Sequence, residues 1–239
     1  MRIKRVMAGV TIVAGGLLLS ACDWENFGGK EFTDRESFSQ PVSEVRFAND
    51  SGDVKVTVGD TFEVRRTGGY QDTKPGKTYR MDGDALVLEE CKERDCWVSY
   101  DVTVPEGTKV SGHLDSGDVE LVGVASANVA AESGNVTVRD VAGDVNATTQ
   151  SGNVEMSEIG GAVVAGAQSG NVTVGLNKSE GVTATTESGN VDVTVPDASY
   201  QVDIKTEGDE NITNDLGDGT SGPKINLSTE SGNVTLRPV

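Results

Sequence analysis

In the stretch VSGHLDSGDV (110–119), His113, Asp115 and Ser116 supply the residue types of a hydrolytic triad. His113 is the single histidine of the 239-residue chain, so any mechanism needing an imidazole base must use it. Neighbours on one strand do not point at one another as a triad requires, which predicts a surface histidine without a catalytic role. Paired carboxylates cleave glycosidic bonds, and Glu132, Asp144, Glu155 and Glu187 are available, but each falls where an outward, solvated position is expected. A polysaccharide lyase needs cations to hold an anionic sugar and a base to take its proton. Between residues 116 and 195 the basic side chains are Arg139 and Lys178 alone. No phosphate-binding loop, dinucleotide fingerprint or zinc signature is present. The expectation is a protein that is not an enzyme, with no catalytic, cofactor-binding or metal residues.

The cysteines carry clearer chemistry. The chain opens MRIKRVMAGVTIVAGGLLLSAC: a basic start, an apolar run over 6–19, small residues, then Cys22. This order is that of an export signal and resembles a bacterial lipobox, which implies cleavage before Cys22 and acyl chains such as palmitate on its thiol. Two or three such chains, at about 0.8 kcal/mol per buried methylene, anchor a protein stably. No other segment approaches a twenty-residue apolar span, so the remainder is expected to be soluble. In LVLEECKERDCWVSYDV (86–102), two β-like runs flank the polar loop Lys92-Glu93-Arg94-Asp95. That predicts a hairpin with Cys91 and Cys96 at its feet, close enough to bridge in an exported protein. A metal is the alternative, but two thiols do not fill a tetrahedral zinc shell.

The formal charge of −18 becomes more negative when Arg2, Lys4 and Arg5 leave with the signal. Such a surface repels phosphate backbones, so nucleic acid is excluded as a partner. It also repels anionic lipid and leaves the anchoring to the acyl chains. Most aromatics precede residue 101; beyond Tyr100 only Tyr200 remains. A core over 111–239 must be built from Val, Ala, Leu, Ile and Met, and only a thin, regular core fills well with such small side chains.

What positions all these residues is a repeat. Ser-Gly-Asp/Asn-Val occurs at 51–54, 116–119, 133–136, 151–154, 169–172, 188–191 and 231–234, with central spacings of 17, 18, 18 and 19. Aligned on the serine, Val119, Val136, Val154, Val172 and Val191 form one apolar column. Leu121, Val138, Met156, Val174 and Val193 form a second; Ala127, Val145, Val163 and Val182 a third; Val129, Ala147, Ala165 and Ala184 a fourth. Polar residues alternate with them. Period-two alternation makes strands with one buried face. Two strands per eighteen residues, turning once at SGNV and again near Gly143, Gly161 or Gly181, make one coil of an all-β solenoid. Gly117, Gly134, Gly152, Gly170, Gly189 and Gly232 suit turns that need positive φ. Asp118, Asn135, Asn153, Asn171, Asn190 and Asn233 would stack from coil to coil as an amide ladder. Calcium at these turns is a further option, but the column is mostly neutral Asn, and calcium-binding solenoids use a different glycine-rich nonapeptide. An antiparallel β-sandwich is the competing architecture; it does not predict columns at so fixed a register. Sequons such as Asn135-Val-Thr follow from the repeat's composition.

The run YDVTVPEG (100–107), the serial SGDV/SGNV units, VPDASYQVDIKTEGD (195–209) and the closing STESGNVTL (228–236) together resemble the bacterial "putative adhesin" domain family of unknown function. The resemblance covers about residues 41–239. It implies a right-handed β-helix-like fold on exported or membrane-tethered proteins, with no catalytic residues to carry over. The expected organisation is a signal peptide at 1–21, a lipidated N-terminus and tether at 22–40, an N-terminal β cap with the disulfide hairpin at 41–110, and the solenoid at 111–239. TEGDENIT (206–213) reads as a degenerate repeat ahead of a last coil ending at 236. The functional expectation is a non-catalytic, lipid-anchored envelope protein on the outer face of the cytoplasmic membrane, or facing the periplasm where the cell has two membranes. It would act as an adhesin-like module for an envelope glycan or surface protein, with no small-molecule substrate. A structural spacer or sensory component is the alternative, and an envelope glycan enzyme comes last.

Overall fold

A short alternating run closes onto its neighbour only if the chain can turn within two residues, and each Ser-Gly-Asn step does this. Gly134, Gly152, Gly170 and Gly189 sit at φ between +139° and +150°, a region open to glycine. Each sends the chain from one parallel sheet into another facing it. The structure, a computed structural model, describes residues 29–207, 211–217 and 219–239; the predicted signal peptide and Cys22 lie outside the described residues.

The described chain is all β, in an 11-stranded and a 10-stranded sheet. The strands are β1 (Lys30–Phe38), β2 (Glu44–Ser51), β3 (Val54–Val58), β4 (Phe62–Tyr70), β5 (Tyr79–Asp82), β6 (Ala85–Glu89), β7 (Cys96–Val104), β8 (Lys109–Ser116), β9 (Val119–Val122), β10 (Ser126–Ser133) and β11 (Val136–Val141). They continue as β12 (Val145–Ser151), β13 (Val154–Ile159), β14 (Val163–Ser169), β15 (Val172–Leu176), β16 (Val182–Ser188), β17 (Val191–Val195), β18 (Gln201–Thr206), β19 (Ile212–Asn214), β20 (Lys224–Ser231) and β21 (Val234–Pro238). Successive pairs such as β10–β11 and β12–β13 are single coils, with β11 and β13 in one sheet and β10 and β12 in the other. All coil-to-coil pairings are parallel and hold the predicted register, for example Val136↔Val154, Val145↔Val163 and Ser151↔Ser169. Parallel ladders across both sheets make a β-solenoid and exclude the antiparallel sandwich.

The apolar columns meet between the sheets. Val136, Val154, Val172 and Val191 are at most 1% exposed, and Leu121, Val138, Met156, Val174 and Val193 are equally buried. Toward the N-terminus aromatics widen this core. Phe47 lies in register with Gly112, whose missing side chain leaves room for the ring: a Cβ there would stand 2.4 Å from it.

Four features differ from the sequence reading. First, β6 and β7 are not a hairpin; they lie in opposite sheets, and the Cys91–Cys96 disulfide spans a coil corner where other coils carry SGNV. Local sequence gives the turn but not the partner, and the partners here are β2 for β6 and β3 for β7. Second, residues 30–38, read as part of a tether, form β1, which pairs antiparallel with β4 along its whole length. Third, the second corner is made by Gly123, Asp140 and Glu158, at φ +77°, +54° and +58°. Gly143 and Gly161 serve close approach instead, since a Cβ on Gly161 would lie 2.3 Å from the Gly143 carbonyl carbon. Fourth, spatial order departs from chain order at both ends. Coil β6–β7 stacks outside β2–β3, and the final coil β20–β21 is inserted between β16–β17 and β18–β19.

Candidate functional site

The SGNV corner is the most repeated geometry in the chain. Each backbone N–H at the Asp/Asn position donates to the Oδ1 of the residue one coil below. Asp118 donates to Asp53 at 2.9 Å, Asn135 to Asp118 at 2.8 Å, Asn153 to Asn135 at 3.0 Å, and Asn171 to Asn153 at 2.9 Å. The series continues through Asn190 and Asn233 to Asn211. Side-chain Nδ2 groups run the same way, from Asn135 to Asp118 and from Asn153 to Asn135. These Oδ1 atoms, the ones a cation would need, are thus engaged along the stack. Beneath the turn the glycines touch backbone to backbone: a Cβ on Gly134 or Gly170 would stand 1.8 Å from the carbonyl oxygen of the glycine below. Buried Thr149, Thr186 and Thr229 cap the carbonyls of Gly134, Gly170 and Gly189 with hydroxyl donors at 2.8–2.9 Å. The columns predicted at these corners are assembled as one ladder whose geometry is structural.

The two outer faces differ in chemistry. On the sheet containing β9, β11, β13, β15, β17 and β21, outward Glu120, Glu155, Asp192, Arg139 and Arg237 form exposed ion pairs, such as Arg139–Glu155 at 3.4 Å and Arg237–Asp192 at 2.6 Å. A shallow trough there is lined by Asp118, Glu120, Asn135, Thr137, Arg139, Asn153 and Glu155. The opposite sheet is neutral across its middle. Asn128, Asn146, Val164, Thr183 and Asn226 lie in one register column, and Ala130, Thr148, Gly166, Thr185 and Ser228 in the next. Val164 is 47% exposed, an unusual apolar side chain on this surface. A groove over this face is lined by Glu44, Lys109, Ser111, Ser126, Asn128, Asp144, Asn146 and Val164.

His113 corrects one expectation. Residues two apart on a strand share a face, and here the structure brings His113 to Asp115: its Nε2 lies 3.0 Å from Asp115 Oδ1 and 3.8 Å from Glu132 Oε1 on the next coil. Ser116 starts the turn, and the partners of His113 are Asp115 and Glu132 instead. Glu132 was legible as outward, but its approach to His113 follows from the register of β8 with β10, which no local signal gives.

At the N-terminal end, charge and aromatics hold β1 in place. Arg66, 5% exposed, donates to Asp34 Oδ2 at 2.7 Å and to Thr78 at 3.1 Å, and lies 4.9 Å from the Phe32 ring centre. A hydrogen bond from Lys74, joined by Arg66, holds the Asp34 carboxyl below the usual carboxylate range; Lys77 and Tyr79 do the same for Glu36. Burial pushes the Tyr79 phenol well above its ordinary value, and Tyr100 up to about 12. Tyr100 spends its hydroxyl on Thr78 and the Glu89 carbonyl at 2.5–2.7 Å, so these groups serve structure. Among the described residues no helix is long and apolar enough to cross a membrane.

Residues 37–237 match the model of the Toastrack DUF4097 family. No curated protein matches the chain. Among solved structures, a "putative cell adhesion protein" from Clostridium sporogenes is 12% identical, covering 88% of this chain and 100% of its own, with a TM-score of 0.40. A "putative adhesin" from Bacteroides fragilis is 16% identical, covering 88% of this chain and 97% of its own, with a TM-score of 0.36.

Proposed function

This chain belongs to the Toastrack DUF4097 family, and from that premise we propose that it is a non-catalytic, lipid-anchored envelope module that binds a repetitive partner through the neutral face of its solenoid. The observation that carries this is the pair of in-register columns on β10, β12, β14, β16 and β20: amide, hydroxyl and small uncharged side chains recurring once per coil, about 4.8 Å apart. Solenoids present extended surfaces of this kind to extended ligands. A face whose middle columns are uncharged, on a chain of charge −18, lets a partner approach along that strip with less of the repulsion the rest of the surface imposes. A glycan of the envelope, or another regular surface protein, is the class of partner this surface would take.

The anchor is Cys22, outside the described residues. Residues 23–29 then separate it from β1, a span of at most about 25 Å when fully extended. That length keeps the β1 end of the stack close to the membrane. The export signal puts the module outside the cytoplasm.

Two measurements test the reading. Exported behind a signal that is cleaved without a lipobox, residues 23–239 should fractionate away from the membrane; retention there would remove the anchor from the account. Titration of the released protein against isolated envelopes should give saturable binding. Binding no greater than that of an equally acidic control protein would leave the solenoid as a spacer.

A further inference from the structure

The outward position just before each corner serine is itself a column: Asp50, Asp115, Glu132, Gln150, Gln168, Glu187 and Glu230. At its N-terminal end three carboxylates stand on successive coils, a repulsive arrangement for like charges at strand spacing. Glu90 adds another. A hydrogen bond with Asp50, together with the Asp50 and Asp115 charges, pushes the Glu90 carboxyl above its usual range; Lys92 offsets this only in part. Beside this stretch, two residues before Asp115, stands the chain's one imidazole.

We propose that His113, Asp115 and Glu132 form a surface site for a single divalent transition-metal ion of the zinc type. Their ligand atoms all lie within 4.8 Å of one another. A tetrahedral ion with bonds of about 2.0–2.1 Å needs its ligand atoms about 3.4 Å apart. The observed 3.0 Å and 3.8 Å from the imidazole bracket that value, and the two carboxylates lie within 4.8 Å of each other, so rotation of these half-exposed side chains closes the shell. His113 lies in register with Ala48 on one side and Ala130 on the other, and these small neighbours leave the ring free to lean toward Glu132. β8 and β10 are hydrogen-bonded in a continuous parallel ladder, which fixes the ligand-bearing backbone in advance. An imidazole nitrogen with two carboxylates suits zinc, nickel or copper; calcium and magnesium take oxygen shells. Three protein ligands leave an outward position for water or an oxygen of a bound partner. This site does not depend on the binding role proposed above.

The test is a zinc titration of the purified, disulfide-intact protein carrying no polyhistidine tag. Calorimetry gives stoichiometry, and NMR of the His113 ring reports the ligand directly, since no other histidine contributes. One zinc per chain and displaced His113 ring resonances are expected, with binding weakened at least about tenfold in His113→Ala and in Glu132→Gln. Both positions are exposed, and the metal-free variants should melt as the parent does. Ring resonances unmoved at millimolar zinc would overturn the site, as would parent-like affinity in Glu132→Gln.

Discussion

A methyl group on Gly152 would stand 2.1 Å from the Gly134 carbonyl oxygen, on a backbone at φ +150°. Both the contact and the dihedral oppose it, and neither neighbour can yield because each is ladder backbone. Gly152→Ala should cost about 3 kcal/mol, read as a fall in Tm of several degrees. Gly83, at φ +65° with nothing within 4 Å of its Cβ position, is the control; Gly83→Ala should cost about 1 kcal/mol. Equal losses would mean that the glycine column serves the turn alone and not the stacking. The glycines and asparagines of this corner were legible in the sequence because each recurs on a fixed beat. The His113–Glu132 approach was not, because it needs two strands in register and involves side chains that occur once.

Cys91 and Cys96 close a corner whose strands diverge into opposite sheets. The sequence predicted the bridge correctly and the hairpin wrongly, for the same reason: proximity along the chain brings the thiols together whether or not the flanking strands pair. With five residues of separation, chain entropy assigns the bridge about 2 kcal/mol, so Cys91→Ser/Cys96→Ser should lower the unfolding free energy by that amount with the fold retained. The N-terminal elements also carry a pH signature. Tyr100 has a folded pKa of about 12, raised by burial above the usual 10. The unfolded chain therefore loses this proton first, and stability present below pH 10 falls as pH rises toward about 12. Alkaline titration followed by tyrosine absorbance and circular dichroism should show ionisation of Tyr100 coinciding with loss of structure. Ionisation near pH 10 in a folded chain would contradict the burial.

At the scale of the molecule, the stack's order is the property least visible in the sequence. A degenerate repeat at 206–213 followed by a regular one reads as decay and recovery along a rod. The structure places the regular coil β20–β21 inside and the irregular β18–β19 at the end, where short, poorly buried strands blunt an open edge. Chain order and spatial order part where the SGNV turn of the last coil joins the ladder, Asn233 donating through its backbone and side-chain nitrogens to Asn190. Native-state hydrogen exchange should find β20 and β21 amides more protected than those of β18 and β19, although they lie closer to the C-terminus; the reverse order would contradict the insertion. The central claim is that the neutral face is the working surface. It is tested most directly by comparing envelope binding of soluble residues 23–239 with the same protein carrying Val164→Lys and Thr185→Lys, two exposed changes on that face. The account predicts an unchanged Tm and at least about a tenfold loss of affinity, equivalent to 1.4 kcal/mol. Binding undiminished by both substitutions would contradict it.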